Sequence, residues 1–231
     1  MGRILRESKT WVWTLFSVCS AIAFAQTGTL HGKVTLIDPG GSDEPLEAGD
    51  VVLYLDGINA PIPQPLIDKA YVISTKDKQF FPQLMIIPSG ATIQFPNLDP
   101  IIHNVFSVSG QNRFDAGRYS KGEGKGHTFS HSGLVRIYCN VHHAMNALVY
   151  VAENPFFGTI DTEGNYEIKG IPPGSYQLVA LHLRAGQEEM KVTLVAGERK
   201  TLDVELKLRK GPAKKHLNKY GKPYKNSRKR Y

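Results

Sequence analysis

The 231 residues suffice for one or two domains with apolar cores. The formal net charge of +7 is uneven, because the stretch 209–231 holds 10 of the 28 basic residues and no acidic one. The segment from Gln26 to Leu208 carries 20 acidic and 15 basic residues. This distribution excludes a protein that is basic throughout: a mildly acidic body precedes a basic tail.

Residues 1–25 have the features of a secretory signal peptide. The basic residues Arg3, Arg6 and Lys9 precede an uncharged apolar stretch, which ends in a small-x-small motif at Ala23–Ala25. We therefore expect cleavage before Gln26 and a periplasmic or secreted protein. A retained membrane anchor is the alternative, but the apolar run is short for a bilayer span. No later segment is apolar enough to cross a membrane.

Removal of the signal peptide leaves a single cysteine. Cys19 leaves with the signal and Cys139 remains. A lone cysteine cannot form an intramolecular disulfide, so Cys139 is an unpaired thiol, an intermolecular bridge or a metal ligand.

The mature chain has the pattern of an all-β protein. Short runs rich in Val, Ile, Leu, Tyr and Thr alternate with clusters of Gly, Pro, Asn and Asp, and no convincing helical period occurs. The proline-rich stretch 61–65 predicts a stiff spacer between domains. The glycine-rich stretch 121–126 predicts a flexible surface loop between strands. The basic stretch 209–231 has few apolar residues, which predicts a disordered tail.

The chemistry is concentrated in the C-x-x-H-x-x-M motif that follows an apolar strand. A strand end and a tight loop can bring Cys139, His142 and Met145 around one point, and His103 can join them from a neighbouring strand. Two imidazoles, a thiolate and a thioether are the donor set of a blue-copper electron-transfer site. We therefore predict one copper ion, cycling between Cu(I) and Cu(II), at these four residues. His143 is the alternative ligand to His142, although the tight loop favours the +3 position.

Several related chemistries are disfavoured by the same segment. A His directly beside the cysteine would link a second copper, but the neighbours of Cys139 are Tyr138 and Asn140. A binuclear copper centre needs two cysteines, and structural zinc sites do not use Met. No third group accompanies Cys139 and a His as a nucleophilic triad would require. The motif indicates an electron carrier and not an enzyme.

The stretch from about Asp77 to Val151 resembles the cupredoxin domain of plastocyanins, pseudoazurins and amicyanins. The mature body resembles the periplasmic methylamine utilization protein-like cupredoxin family more closely. The resemblance rests on four motifs: Phe80-Phe81-Pro82, Phe95-Pro96-Asn97-x-Asp99, Cys139-Asn140-Val141-His142 and Asn154-Pro155-Phe156-Phe157. It implies a Greek-key β-sandwich and His103, Cys139, His142 and Met145 as ligands. It also implies that Asn104 ties the two ligand loops together and donates its backbone N–H to the thiolate sulfur.

Two distant stretches resemble the ends of a smaller carboxypeptidase-regulatory-like sandwich. The first includes Ala48-Gly49-Asp50-Val51, and the second includes Ile171-Pro172-Pro173-Gly174. We therefore expect the cupredoxin domain to be inserted into a second β-sandwich. The alternative is that residues 29–56 extend the cupredoxin sheet. The expected organisation is a signal peptide (1–25), a discontinuous sandwich (27–60 and 153–208), a cupredoxin domain (66–152) and a basic tail (209–231).

The leading functional hypothesis is a monomeric extracytoplasmic carrier of single electrons between redox partner proteins. The alternative is a module that binds copper without redox cycling, or that binds a partner or carbohydrate through the second sandwich. An exported protein is not expected to bind nucleic acid. The basic tail is either a solvated extension or a weak electrostatic contact with a membrane or an acidic protein.

Overall fold

The computed structural model describes residues 26–209, 218–220 and 222. The predicted signal peptide and most of the basic tail lie outside the described residues. The described chain is almost entirely β-structure, which confirms the predicted all-β fold. Its elements are β1 (Gly28–Ile37), β2 (Asp43–Glu44), β3 (Val51–Asp56), α1 (Gln64–Ile67), β4 (Tyr71–Val72), β5 (Ser74–Lys76), β6 (Gln79–Phe81), β7 (Leu84–Pro88), β8 (Thr92–Asn97), β9 (His103–Ser107), a 3₁₀ turn (Gly110–Asn112), β10 (Phe114–Tyr119), β11 (Gly122–Thr128), β12 (Gly133–Cys139), β13 (Asn146–Ala152), β14 (Phe157–Thr159), β15 (Asn165–Ile171), β16 (Gly174–His182), β17 (Gly186–Leu194), β18 (Arg199–Thr201) and β19 (Val204–Lys207).

The strands from the two ends of the described chain form one sandwich, which we call the terminal sandwich. In its outer sheet β1 pairs with β2, β15, β18 and β19. Its inner sheet has the order β14-β3-β16-β17. The early strands β1 and β3 therefore pair with late strands, and they do not extend the sheets between them.

The strands between β3 and β14 form the central sandwich. One of its sheets has the order β10-β9-β12-β13-β7, and the other has the order β11-β8-β5-β6 with β4 beside β8. The chain enters this sandwich through the proline-rich stretch 61–65, which runs into the four-residue helix α1. Pro65 lies in the first turn of α1, where a missing backbone N–H costs no helical hydrogen bond.

The two sandwiches are stacked face to face, so the described chain has four β-layers. Alternate residues of β3 and β16 point away from the terminal core and pack against residues of β7 and β13. Tyr54 of β3 and Tyr150 of β13 stack at the centre of this junction, with ring centroids 3.8 Å apart. Because both faces of β3 and β13 are covered, these strands have continuous apolar sequences in place of the alternation of a half-exposed strand.

The glycine-rich stretch 121–126 was predicted as a loop, and this prediction is wrong. Residues Gly122–Thr128 form β11, which pairs with β8 through an irregular register between Gly122 and Lys125. Gly124 has a φ of 73°, and a Cβ there would lie 1.8 Å from the carbonyl oxygen of Phe95. Glycine is therefore needed at position 124 because the backbone of β11 approaches β8 closely there.

Candidate metal centre

The four predicted ligands lie at the ends of adjacent strands of the central sandwich. His103 is the first residue of β9 and Cys139 is the last residue of β12. The two strands are hydrogen-bonded neighbours, with Cys139 opposite Val105. The loop after Cys139 carries His142 and Met145 and ends where β13 begins.

The loop is closed by hydrogen bonds between its own residues. The backbone N–H of Met145 donates to the carbonyl of His142 (3.1 Å), and that of Cys139 donates to the carbonyl of Met145 (3.4 Å). These bonds fold the six residues after Cys139 into a compact turn. Met145 is 2% exposed and belongs to the same core cluster as Cys139.

Three potential donor atoms converge at this position. The Nδ1 atoms of His103 and His142 are 3.2 Å apart, and they lie 3.7 and 3.9 Å, respectively, from Sγ of Cys139. An ion bound about 2.0 Å from each nitrogen and about 2.3 Å from sulfur, as zinc is, would hold its donors roughly 3–4 Å apart. The spacing therefore fits one metal ion. Among the described residues, His103, Cys139 and His142 are the group of His, Cys, Asp or Glu side chains with such a spacing.

The contact between His103 and Asp99 favours the tautomer in which Nδ1 is free to bind a metal. Its Nε2 lies 2.8 Å from Oδ2 of Asp99, and both side chains are buried. Burial alone would raise the pKa of Asp99, but hydrogen bonds from Lys78, His103 and Asp77 outweigh it and lower the pKa. An ionised carboxylate accepts a hydrogen bond from Nε2–H, and an imidazole with its proton on Nε2 has a lone pair on Nδ1.

His142 and His143 occupy different positions. His142 contributes its ring to the cluster and is partly exposed, whereas His143 is exposed. Burial, and then the proximity of His103 and Lys78, lower the pKa of His142. A neutral imidazole is the form that binds metals.

Asn104 connects the two loops that carry the ligands. Its backbone carbonyl accepts a hydrogen bond from the N–H of Asn140 (3.2 Å), and its side-chain amide donates to Asp115 (2.6 Å) and to the carbonyl of Gly117 (2.9 Å). The backbone N–H that the structure shows bonded to Sγ of Cys139 is that of His142, at 3.4 Å. Donation to the sulfur by the N–H of Asn104 stays a prediction.

Sequence reasoning did not assign a role to Asp99 or to the tail residue Lys219. An acidic residue four positions before a ligand histidine is the signal that could have identified Asp99. Lys219 forms an ion pair with Asp115 (2.6 Å), and its backbone N–H lies 3.4 Å from Oδ1 of Asn140. Part of the tail therefore contacts the loops around the cluster, which its composition does not indicate.

Two buried polar atoms of described residues near these loops have no hydrogen-bond partner, namely Oδ1 of Asn104 and Oη of Tyr119. Tyr119 lies opposite His103 in the β9–β10 pair. Burial, and then the proximity of Cys139, raise the pKa of Tyr119, so its hydroxyl stays protonated.

Comparisons with known proteins give partial similarities. No protein-family model matches the chain, and no curated protein matches it. A purple cupredoxin from Nitrosopumilus maritimus is similar over 36% of this chain and 99% of its own, with 24% identity and a TM-score of 0.32. Amicyanin from Paracoccus versutus is similar over 37% of this chain and 83% of its own, with 22% identity and a TM-score of 0.34. At these values the side-chain geometry, and not the likeness, must carry a functional conclusion.

No helix in the described part of the chain is long and apolar enough to span a membrane.

Proposed function

We propose that this chain is an exported, monomeric copper protein that transfers single electrons between redox partners outside the cytoplasm. The observation that carries the proposal is the convergence of two imidazole nitrogens and a buried sulfur within 3.2–3.9 Å of one another. His103, Cys139 and His142 would supply the strong ligands, and Met145 would supply a weak axial one. Copper bound there would accept and release one electron.

The protein frame suits a carrier because it limits movement of the ligands. His103 and Cys139 are buried on paired strands, and the backbone N–H of His142 donates to the sulfur. A thiolate held by a rigid sheet and a hydrogen bond keeps one position in both oxidation states of the metal. The proposed ligands fill the coordination sphere, so no position is left for a substrate, as an enzyme would need.

The proposed route for electrons is through His142. His103 is fully buried, whereas the ring of His142 is partly exposed. The residues before the two histidines, Ile102 and Val141, expose apolar side chains. A redox partner that covers these apolar groups would bring its own centre close to His142.

Visible spectroscopy of the Cu(II)-loaded mature protein tests the ligand set. A Cys139 thiolate bound to Cu(II) gives an intense charge-transfer band near the red end of the visible spectrum, and Cys139→Ser should abolish it. The adjacent histidines offer a matched pair of variants. His142→Ala should remove or strongly shift the band, whereas His143→Ala should leave it unchanged. A band that survives Cys139→Ser would contradict the proposal, and equal effects of the two histidine variants would contradict the assignment of His142.

A further inference from the structure

The carboxylate of Asp99 is a buried charged group that contacts a predicted ligand of the candidate metal centre. Only 6% of the residue is exposed. Its Oδ1 accepts the backbone N–H of Asp77 (2.7 Å), and its Oδ2 accepts the N–H of Lys78 (3.0 Å) and pairs with Nε2 of His103 (2.8 Å). Both oxygens are therefore used, and one of them contacts a predicted ligand.

The turn between β5 and β6 supplies two of these donors. Asp77 and Lys78 form the two-residue connection of this hairpin, and both have positive φ angles, 52° and 57°. Residues other than glycine disfavour this conformation, because their Cβ atom is crowded by the backbone. Such a turn matches the twist of the hairpin, and here it also directs two successive N–H groups at one carboxylate.

A second set of bonds fixes the backbone of Asp99. Oδ1 of the buried Asn97 accepts the N–H of Asp99 (2.9 Å) and the hydroxyl of Thr75 (3.0 Å). Nδ2 of Asn97 donates to the carbonyl of Ile101 (2.8 Å). The loop between β8 and β9 is therefore braced by bonds that do not involve His103, and the position of Asp99 depends little on that ring.

We propose that Asp99 is the positioning residue of the copper site: it fixes the ring and tautomer of His103 and favours Cu(II) over Cu(I). This inference rests on the proposed function and deepens it. A negative charge on the far side of a ligand imidazole makes the ring a stronger electron donor. It also stabilises the more positive oxidation state, because the charge lies in a buried region where screening by water is weak. The hairpin turn and Asn97 hold the carboxylate in place when the metal changes its oxidation state.

The metal-free wild-type protein tests the positioning role. Nitrogen-15 NMR of the histidine rings should show His103 with its proton on Nε2, and this proton should exchange slowly with solvent. A proton on Nδ1 would contradict the proposal. The result does not depend on copper or on the folding of any variant.

Asp99→Asn tests the effect of the charge, because asparagine keeps an oxygen that can accept from Nε2–H. Loss of an outer partner of a metal ligand typically changes metal affinity by 10–100-fold. We expect the affinity for Cu(II) to fall about tenfold more than that for Cu(I), which for a one-electron couple is an upward shift of about 59 mV. The thiolate band should persist. Asp99→Ser is a second neutral variant, with the same expected direction, should Asp99→Asn not fold.

Asp115→Asn is the matched control. Asp115 also bonds a residue next to His103, but its partner is the side chain of Asn104 and its charge is paired with Lys219. The reduction potential of Asp115→Asn should therefore differ from that of the wild type much less than the potential of Asp99→Asn does. Equal shifts in the Asp99 and Asp115 variants would overturn the inference and leave the proposed function intact. Absence of the thiolate band from the wild type would overturn the proposed function itself.

Discussion

The two sandwiches differ in what they bury. The terminal sandwich has an aliphatic and aromatic core, and two of its polar side chains are buried among the described residues, Asn154 and His182. In the central sandwich a set of polar side chains is also buried, namely Thr75, Asn97, Asp99, His103, Asn104, Ser107 and Asn112. Buried polar groups cost free energy unless they are hydrogen-bonded, so a fold retains them where they position something. Most of them lie in the loops and strands that carry the proposed ligands.

This difference suggests a division of roles between the sandwiches. The terminal sandwich covers the outer face of β7 and β13 through the shared apolar junction, which includes Leu84 and Leu148. It therefore stabilises the sheet that carries Cys139 without contributing a proposed ligand. Changes in the terminal core should alter stability alone, whereas changes in the polar set should alter the metal centre as well.

The largest effect on stability is expected from Leu53→Ala. Leu53 is fully buried in the terminal core, and truncation of such a side chain costs about 2–5 kcal/mol of unfolding free energy. Chemical denaturation measures the loss, and the visible band of the folded Cu(II) protein should not change. Val195→Ala is the control, because Val195 is 61% exposed and its truncation should cost less than about 0.5 kcal/mol. A shifted band in Leu53→Ala would contradict the division of roles.

Two buried asparagines give a sharper test of the same comparison. Asn97 braces the loop before His103, and Asn154 joins the carbonyl of Leu55 to the N–H of Phe156 near the terminal core. Replacement of either by Ala leaves buried groups unpaired and should cost about 1–3 kcal/mol. Asn97→Ala should also shift the reduction potential, whereas Asn154→Ala should not. Potentiometric titration of the copper-loaded variants measures this difference. Equal reduction potentials for Asn97→Ala and Asn154→Ala would show that the hydrogen bonds of Asn97 do not affect the metal centre.

The smallest effect is expected at the contact between the tail and the central sandwich. The Lys219–Asp115 pair is partly exposed, so Lys219→Ala should cost about 0–1 kcal/mol, and less at high salt. Burial opposes ionisation of Asp115, but bonds from Lys219, Asn104 and Gly117 outweigh it and lower its pKa in the folded state.

A depressed carboxylate pKa predicts the pH dependence of this contact. The contribution of Asp115 is complete above the unfolded-state pKa of about 3.9 and is lost as the pH falls through the lower folded-state pKa. The difference in unfolding free energy between the wild type and Asp115→Asn should therefore be constant near neutral pH and shrink below about pH 4. A difference that grows on acidification would contradict the assigned ion pair.

The all-β fold could be predicted because the strands have a local signature of apolar runs between turn residues. The C-x-x-H-x-x-M spacing could be interpreted because a tight loop after a strand brings its side chains together locally. The role of Asp99 could not be predicted from the sequence. It depends on the turn at residues 77–78, which contacts Asp99 only because the strands pair in the folded protein. Strand β11 was missed because its glycines indicate a loop locally, whereas Gly124 is required by the close approach of β8.

The central claim is that this chain holds one copper ion in a site that cycles by one electron without rearrangement. Voltammetry of the copper-loaded mature protein tests it most directly. The account predicts a reversible one-electron wave whose peak separation stays small as the scan rate rises, with copper retained after many cycles. A wave that is irreversible, or copper that leaves on reduction, would contradict the account and indicate a protein that binds copper without carrying electrons.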